Sequence, residues 1–211
     1  MNQPIRWPSV KRPLVAILRG VQPDEVESIV ETLIDTGFEM IEVPLNSPDP
    51  FESIARICKR FGSDTLIGAG TVLTANDCAH VADVGGRLMV SPNVDVDVLA
   101  IAASRGMVTM PGVFSPTEAF LALRAGASAL KFFPASILGP SGIAAIRAVL
   151  PKDAVIGAVG GVSDRNFTDY VAAGVQAFGL GSSLYRPGMS AIEVKATAQA
   201  SVAAYDQAMA R

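Results

Sequence analysis

The stretch SPTEAFLALRAGASALKFFPA, residues 115–135, contains one complete helix-to-strand unit of the kind that builds the whole chain. Ser115, Pro116 and Glu118 stand as an N-cap, a proline at the first helical position and an acid at the third, a strong helix start. Gly126 ends the helix. The run ALKFFPA at 129–135 then reads as a short buried strand, rich in Leu and Phe and stopped by Pro134. With a strand's period of two, Lys131 shares one face with Phe133, and Leu130 shares the other with Phe132. An unpaired ammonium is costly to bury, so Lys131 either lifts its head to solvent at the strand end or has chemistry to perform.

The same unit recurs in both directions. Strand-like runs occupy 14–20 (LVAILRG), 40–45 (MIEVPL), 66–72 (LIGAGTV), 88–91, 107–110, 154–159 and 177–180. Between them Val26, Ile29, Val30, Leu33 and Ile34 fall at helical spacing, and further helices are expected over 50–62, 74–84 and from Ser190 onward. Glycines at 37, 62, 85, 106, 126 and 174, mostly 20 to 25 residues apart, separate each helix from the next strand. Eight strands alternating with eight helices predict an α/β protein, a (β/α)8 barrel of the TIM type, as a single domain over 1–211. An open doubly wound sheet is the alternative, and it has no reason to stop at eight. The last helix, with Ile192, Val202 and Tyr205, is expected to cover the barrel, and Trp7 to pack on its outside.

Composition narrows the function. Of 211 residues 50% are hydrophobic and 18% charged, enough to bury a sizeable core. A net charge of −3 with scattered basic residues leaves no footprint for nucleic acid, and no apolar run is long enough to span a membrane. The opening residues, with Pro4, Pro8 and Pro13 and no apolar core, lack the form of a secretory signal, so a cytoplasmic location is expected. Cys58 and Cys78 read as reduced thiols. The one histidine, His80, is expected on a helix surface, whereas catalytic zinc usually recruits several His, or His with Cys and Glu. A metal enzyme and a Ser/His/Asp hydrolase are both disfavoured.

Barrel chemistry sits where the strands end. Arg19 closes the 14–20 run, Glu42 is the only charge in 40–45, and Lys131 is the only one in 129–135. Because buried charges need partners, the three are expected to converge on one polar site. At the other side, Gly160 and Gly161 (AVGGVSD, 158–164) and Gly179, Gly181, Ser182 and Ser183 (GLGSSLY, 179–185) follow the last two strands. Bare N–H groups and hydroxyls there form the usual phosphate cradle of barrel enzymes, and no Walker GKS or GKT accompanies them.

A lysine inside a barrel, a nearby acid and no metal suggest a Schiff base with a carbonyl substrate. At an ordinary pKa of about 10.4 only about one amine in 2,500 is neutral at pH 7, a handicap of roughly 4.6 kcal/mol. Desolvation by Phe133 and the like charge of Arg19 lower that pKa, and Glu42 can then carry protons. Two rivals stay open: a phosphosugar isomerase or epimerase in which Glu42 works alone, and a non-catalytic phosphosugar-binding barrel. The intact Lys, Glu and Arg speak against the second.

Taken together, AILRG (16–20), EVPLNSP (42–48), IGAGTV (67–72), SPN (91–93), PG (111–112), LKFFPAS (130–136), AVGGV (158–162) and GLGSSLYRPG (179–188) form a specific set. They resemble the class I aldolases that cleave 2-keto-3-deoxy-6-phospho sugar acids, most closely the galactonate-type branch, over 14–186. The resemblance implies cleavage of 2-dehydro-3-deoxy-6-phospho-D-galactonate to pyruvate and D-glyceraldehyde 3-phosphate, a homotrimer and no cofactor. It implies Lys131 as the Schiff-base lysine and Glu42 as general acid/base. Arg19 and Thr71 would hold the acid end, Phe133 would wall the pyruvyl group, and Gly160, Gly161, Gly181 and Ser182 would surround the phosphate. In the gluconate-type branch an arginine follows the glutamate in a TLR pattern; here Asn46 takes that place and Arg19 supplies the charge. That exchange favours the galactonate epimer, with a gluconate or dual-specificity aldolase as the alternative.

Overall fold

Among the described residues nine parallel strands, ordered β5-β4-β3-β2-β1-β9-β8-β7-β6, wrap into a barrel covered by eight helices. The computed structural model describes residues 5–210; the extreme ends of the 1–211 span, Pro4 included, lie outside the described residues. The strands are β1 (Leu14–Ile17), β2 (Met40–Pro44), β3 (Leu66–Gly70), β4 (Leu88–Val90), β5 (Val108–Met110), β6 (Gly112–Val113), β7 (Leu130–Phe132), β8 (Ile156–Val159) and β9 (Ala177–Leu180). The helices are α1 (Val26–Asp35), α2 (Pro50–Phe61), α3 (Ala75–Asp83), α4 (Val96–Ser104), α5 (Pro116–Arg124), α6 (Ala135–Arg147), α7 (Phe167–Ala172) and α8 (Ala191–Met209).

The ninth strand is half of an expected one. Pro111 has no N–H to give a ladder, so it splits one stave into β5, which pairs with β4, and β6, which pairs with β7. Across the split Ala129 N donates to Thr109 O at 3.0 Å and Lys131 N to Pro111 O at 2.9 Å. The ring therefore closes with eight staves, one of them broken.

Side-chain alternation divides the core in two. Val15, Ile17, Met40, Leu88, Val90, Val108 and Met110 pack together inside the barrel. Their sequence neighbours, among them Leu14, Ala16, Ile41, Val43, Leu130 and Phe132, pack in the layer shared with the helices. Leu130 and Phe132 are fully buried there, as the period-two reading requires, each contributing roughly 1.5–3 kcal/mol.

Two expectations are corrected. Trp7 does not lie on the barrel's outside: with Ile5, Val10, Leu66 and Val155 it packs onto the interior cluster, closing the base where the strands begin. Ile192 does not cover the barrel either and is 82% exposed. Ser190 and Glu193 form a capping box that starts α8, and its buried face runs through Val194, Ala198, Ser201, Tyr205 and Ala208. That register turns Ile192 outward. His80 is exposed, its ring stacked on Phe51 at 3.8 Å. Among the described residues no helix is long and apolar enough to cross a membrane.

Candidate active site

Lys131 sits mid-strand in β7, flanked in register by Gly112 of β6 and Gly157 of β8. Neither neighbour in register carries a side chain of its own beside the lysine. A Cβ at Gly157 would meet the terminal methyl of Met110, and one at Gly112 the Pro92 carbonyl, so the space over both glycines is already occupied. Glu42 is placed similarly, beside Gly68 of β3, and a Cβ at Gly70 would collide with its carboxylate. Both charges point inward from buried strands: Glu42 is 2% and Lys131 6% exposed.

Burial dominates their chemistry. It pushes the Lys131 amine down to about 8; the Glu42 carboxylate opposes the shift and Arg19 adds to it. Burial pushes the Glu42 carboxyl up to about 7, against the pull of Lys131 and Arg19. The Lys131 Nζ also lies 4.6 Å from the centroid of the Phe133 ring, a contact that favours the ammonium but is outweighed by desolvation. An amine of pKa near 8 is neutral in about one molecule in ten at pH 7, so the handicap shrinks to roughly 1.4 kcal/mol. Glu42 Oε2 has no hydrogen-bond partner among the described residues, and no ion pair there includes either residue. A buried carboxyl titrating near neutrality with a free oxygen suits proton transfer.

Arg19 is less buried than its place in the apolar run predicts. β1 stops at Ile17, and Arg19 lies exposed in the turn beyond it. Its Nη1 donates to Asn46 Oδ1 at 2.5 Å, and the next residue, Gly20, donates its N–H to Ser47 Oγ at 2.9 Å. These two bonds tie the loops after β1 and β2, and they explain the NS of EVPLNSP. Thr71, just past β3, holds φ at 56°. A β-branched residue in the left-handed region carries a strain of about 1–3 kcal/mol, typical of positions where function fixes the backbone.

A cavity of about 340 Å3 opens beyond β1, β8 and β9, with Arg19, Phe133, Gly160, Gly161, Gly181 and Ser182 in its walls. Six predicted site residues thus meet there; Glu42, Thr71 and Lys131 do not line it. Phe133 links the two groups, since it borders the cavity and faces the Lys131 amine. Gly160 and Gly161 take φ of 89° and 78°, which turns successive backbone groups in a way L side chains resist. Asn166, unforeseen from the sequence, braces this turn: Nδ2 donates to Gly161 O and Oδ1 accepts from Ser163 N, both at 2.9 Å. The Ser163-to-Asn166 spacing of three was its only visible signal. Ser183 Oγ donates to Val162 O at 3.0 Å, joining the turns after β8 and β9. Val159 and Ser163 also border the cavity and were not anticipated. Among the described residues no cluster of three His, Cys, Asp or Glu side chains could hold a metal.

A depressed amine, a near-neutral carboxyl, a guanidinium and a glycine-rich donor pocket are the parts of a carbonyl-condensing site for anionic substrates. Comparison with known proteins agrees. Residues 9–206 match the aldolase family described as KDPG and KHG aldolase. A protein of Rhizobium meliloti (strain 1021) named "Probable 2-dehydro-3-deoxy-6-phosphogalactonate aldolase" is 64% identical over 202 residues, 96% of this chain and 95% of that one. The 2-dehydro-3-deoxy-6-phosphogalactonate aldolase of Escherichia coli (strain K12) is 46% identical over 97% of this chain and 100% of its own. A solved structure titled "Native KDPGal structure" superposes with a TM-score of 0.95 at 46% identity, covering 98% of this chain and 100% of that one. The chain belongs to the KDPG and KHG aldolase family and is a carbon–carbon lyase.

Proposed function

We propose that this chain, one barrel domain over 1–211, cleaves 2-dehydro-3-deoxy-6-phospho-D-galactonate to pyruvate and D-glyceraldehyde 3-phosphate. The observation that carries the reading is the buried Lys131 amine, held down in pKa beside Glu42 and flanked in register by two glycines. Lys131 Nζ adds to the C2 ketone and water leaves, giving an iminium that draws electrons. Glu42, through water, takes the C4 hydroxyl proton as the C3–C4 bond breaks, and the bonding pair moves into the iminium to form an enamine. The phosphorylated aldehyde departs, Glu42 returns a proton to C3, and hydrolysis frees pyruvate and the amine. Arg19 and Thr71 hold the carboxylate, Phe133 walls the pyruvyl unit, and Gly160, Gly161, Gly181 and Ser182 surround the phosphate. Anchoring both ends spends remote binding energy on aligning the bond to be broken. The galactonate assignment draws support from the Arg19–Asn46 pair and from the names of the relatives.

Side-by-side cleavage of the galactonate and gluconate epimers, with EDTA present and pyruvate release as the readout, tests the assignment. The galactonate epimer is expected to lead by about tenfold or more in kcat/KM, roughly 1.4 kcal/mol. Equal rates would make the enzyme dual in specificity, and inactivity on both would favour the phosphosugar-binding barrel.

A homotrimer belongs to the same proposal. Leu73, Val96, Phe114 and Ile137 are exposed large apolar side chains following β3, β4, β6 and β7, adjacent positions around one rim. Scattered singly they would mean little; as a crescent they suit a second copy of the chain. Sedimentation should give three chain masses, and Leu73→Asp with Phe114→Asp should lower that to one. A monomeric native protein would remove this part of the reading. The cytoplasmic location is supported by the free thiols of Cys58 and Cys78.

A further inference from the structure

The turn that carries Ser182 is tied to the loop that carries Arg19 by a single long-range side-chain bond. Tyr185, 2% exposed, donates its hydroxyl to Glu25 Oε1 at 2.8 Å, across 160 residues of chain. The same oxygen accepts from Gln22 N at 3.0 Å, which fixes Glu25 within the loop beginning at Arg19. On the other side, Leu184 N and Tyr185 N donate to Gly181 O at 2.8 and 2.9 Å, so Gly181 to Tyr185 is one rigid turn. Thr197 Oγ1 of α8 donates to Leu184 O at 2.7 Å and holds that turn from behind. The loops touch once more where Gly20, at φ of 82°, lies against Pro187. Burial, then the neighbouring Glu25 carboxylate, push the Tyr185 phenol well above its ordinary value, so it remains a donor at physiological pH.

We infer that Tyr185 is a positioning residue: through Glu25 it holds the Gly181–Ser182 turn against the loop after β1, and so sets the shape of the phosphate cradle. The inference rests on the proposed phosphosugar acid as substrate. It differs from the roles assigned above because Tyr185 does not line the cavity. A hydroxyl removed from this bond loosens the cradle, while the Lys131 amine keeps its surroundings.

Calorimetric titration with inorganic phosphate measures the cradle whether or not the chain cleaves the keto acid. Tyr185→Phe is expected to weaken phosphate binding about tenfold, the loss of one buried hydrogen bond to a charged group. On the phosphorylated keto acid the same loss should fall on KM with kcat nearly unchanged, and the dephosphorylated analogue should be turned over as by the native protein. Glu25→Gln keeps an acceptor oxygen and should restore most of the affinity that Glu25→Ala loses, a rescue that general loosening of the fold would not produce. Unchanged phosphate affinity in Tyr185→Phe, or equal losses on phosphorylated and dephosphorylated substrates, would overturn the inference. Failure of the native chain to cleave the keto acid would overturn the substrate reading alone, because phosphate affinity still reports on the clamp.

Discussion

Lys131→Met is expected to abolish pyruvate release, a fall of about four orders of magnitude or more, and with it the covalent adduct that borohydride traps from pyruvate. Methionine keeps the length and apolar stem of the lysine, and its neutral thioether suits a lumen flanked by Gly112 and Gly157. Stability is therefore not expected to drop. It should change its dependence on pH. The folded amine has a pKa lowered to about 8, below roughly 10.4 for the unfolded chain, so the unfolded state binds more protons between those values. The native protein gains stability as pH rises through that window, and the methionine variant lacks the gain. Mass spectrometry after borohydride reports the adduct directly; an adduct surviving in Lys131→Met would move the Schiff base to another amine.

Glu42→Gln should lower kcat by roughly 10²- to 10³-fold with KM little changed, as expected when a positioned proton carrier is lost. The amide retains size and hydrogen bonding, so the Gly70 surface that admits the carboxylate still fits. A second signature follows from charge. The carboxylate raises the Lys131 pKa, so removing it shifts the rising limb of kcat/KM, expected near pH 8 in the native enzyme, toward lower pH. The folded pKa of Glu42 itself is raised to about 7, so its stability contribution is present below about 4.3 and lost as pH climbs through 7. That loss disappears in the glutamine variant. A variant altered only in KM would remove Glu42 from proton transfer.

Much of this is legible in the sequence alone. The helix start at Ser115, the parity of 129–135 and the spacing of the glycines predict the barrel because they are local signals, each enforced within one βα unit. Parity alone places Lys131 on one face with Phe133 and opposite Leu130 and Phe132, but not which face turns inward. Register was not legible: that Gly112 and Gly157 border Lys131, and Gly68 borders Glu42, depends on which strands pair and where. The Pro111 break is not legible, because GV at 112–113 is too short to register as a strand by its pattern. Arg19 was placed too deep, since apolar runs do not reveal where pairing ends. Ile192 was assigned to the wrong face because α8, rich in alanine, offers little contrast between its sides.

The packing of Ile5, Trp7 and Val10 onto the interior cluster covers the end of the barrel where the strands begin. Under the proposed chemistry substrate therefore reaches Lys131 from the strand ends, the side that carries Phe133 and the glycine turns, and product leaves the same way. Under the proposed chemistry the pyruvyl fragment is tethered at the floor and the phosphorylated aldehyde lies toward the opening. Departure is then a queue with a fixed order, aldehyde first and pyruvate last. In the synthetic direction the order reverses, and pyruvate must load before any aldehyde is accepted.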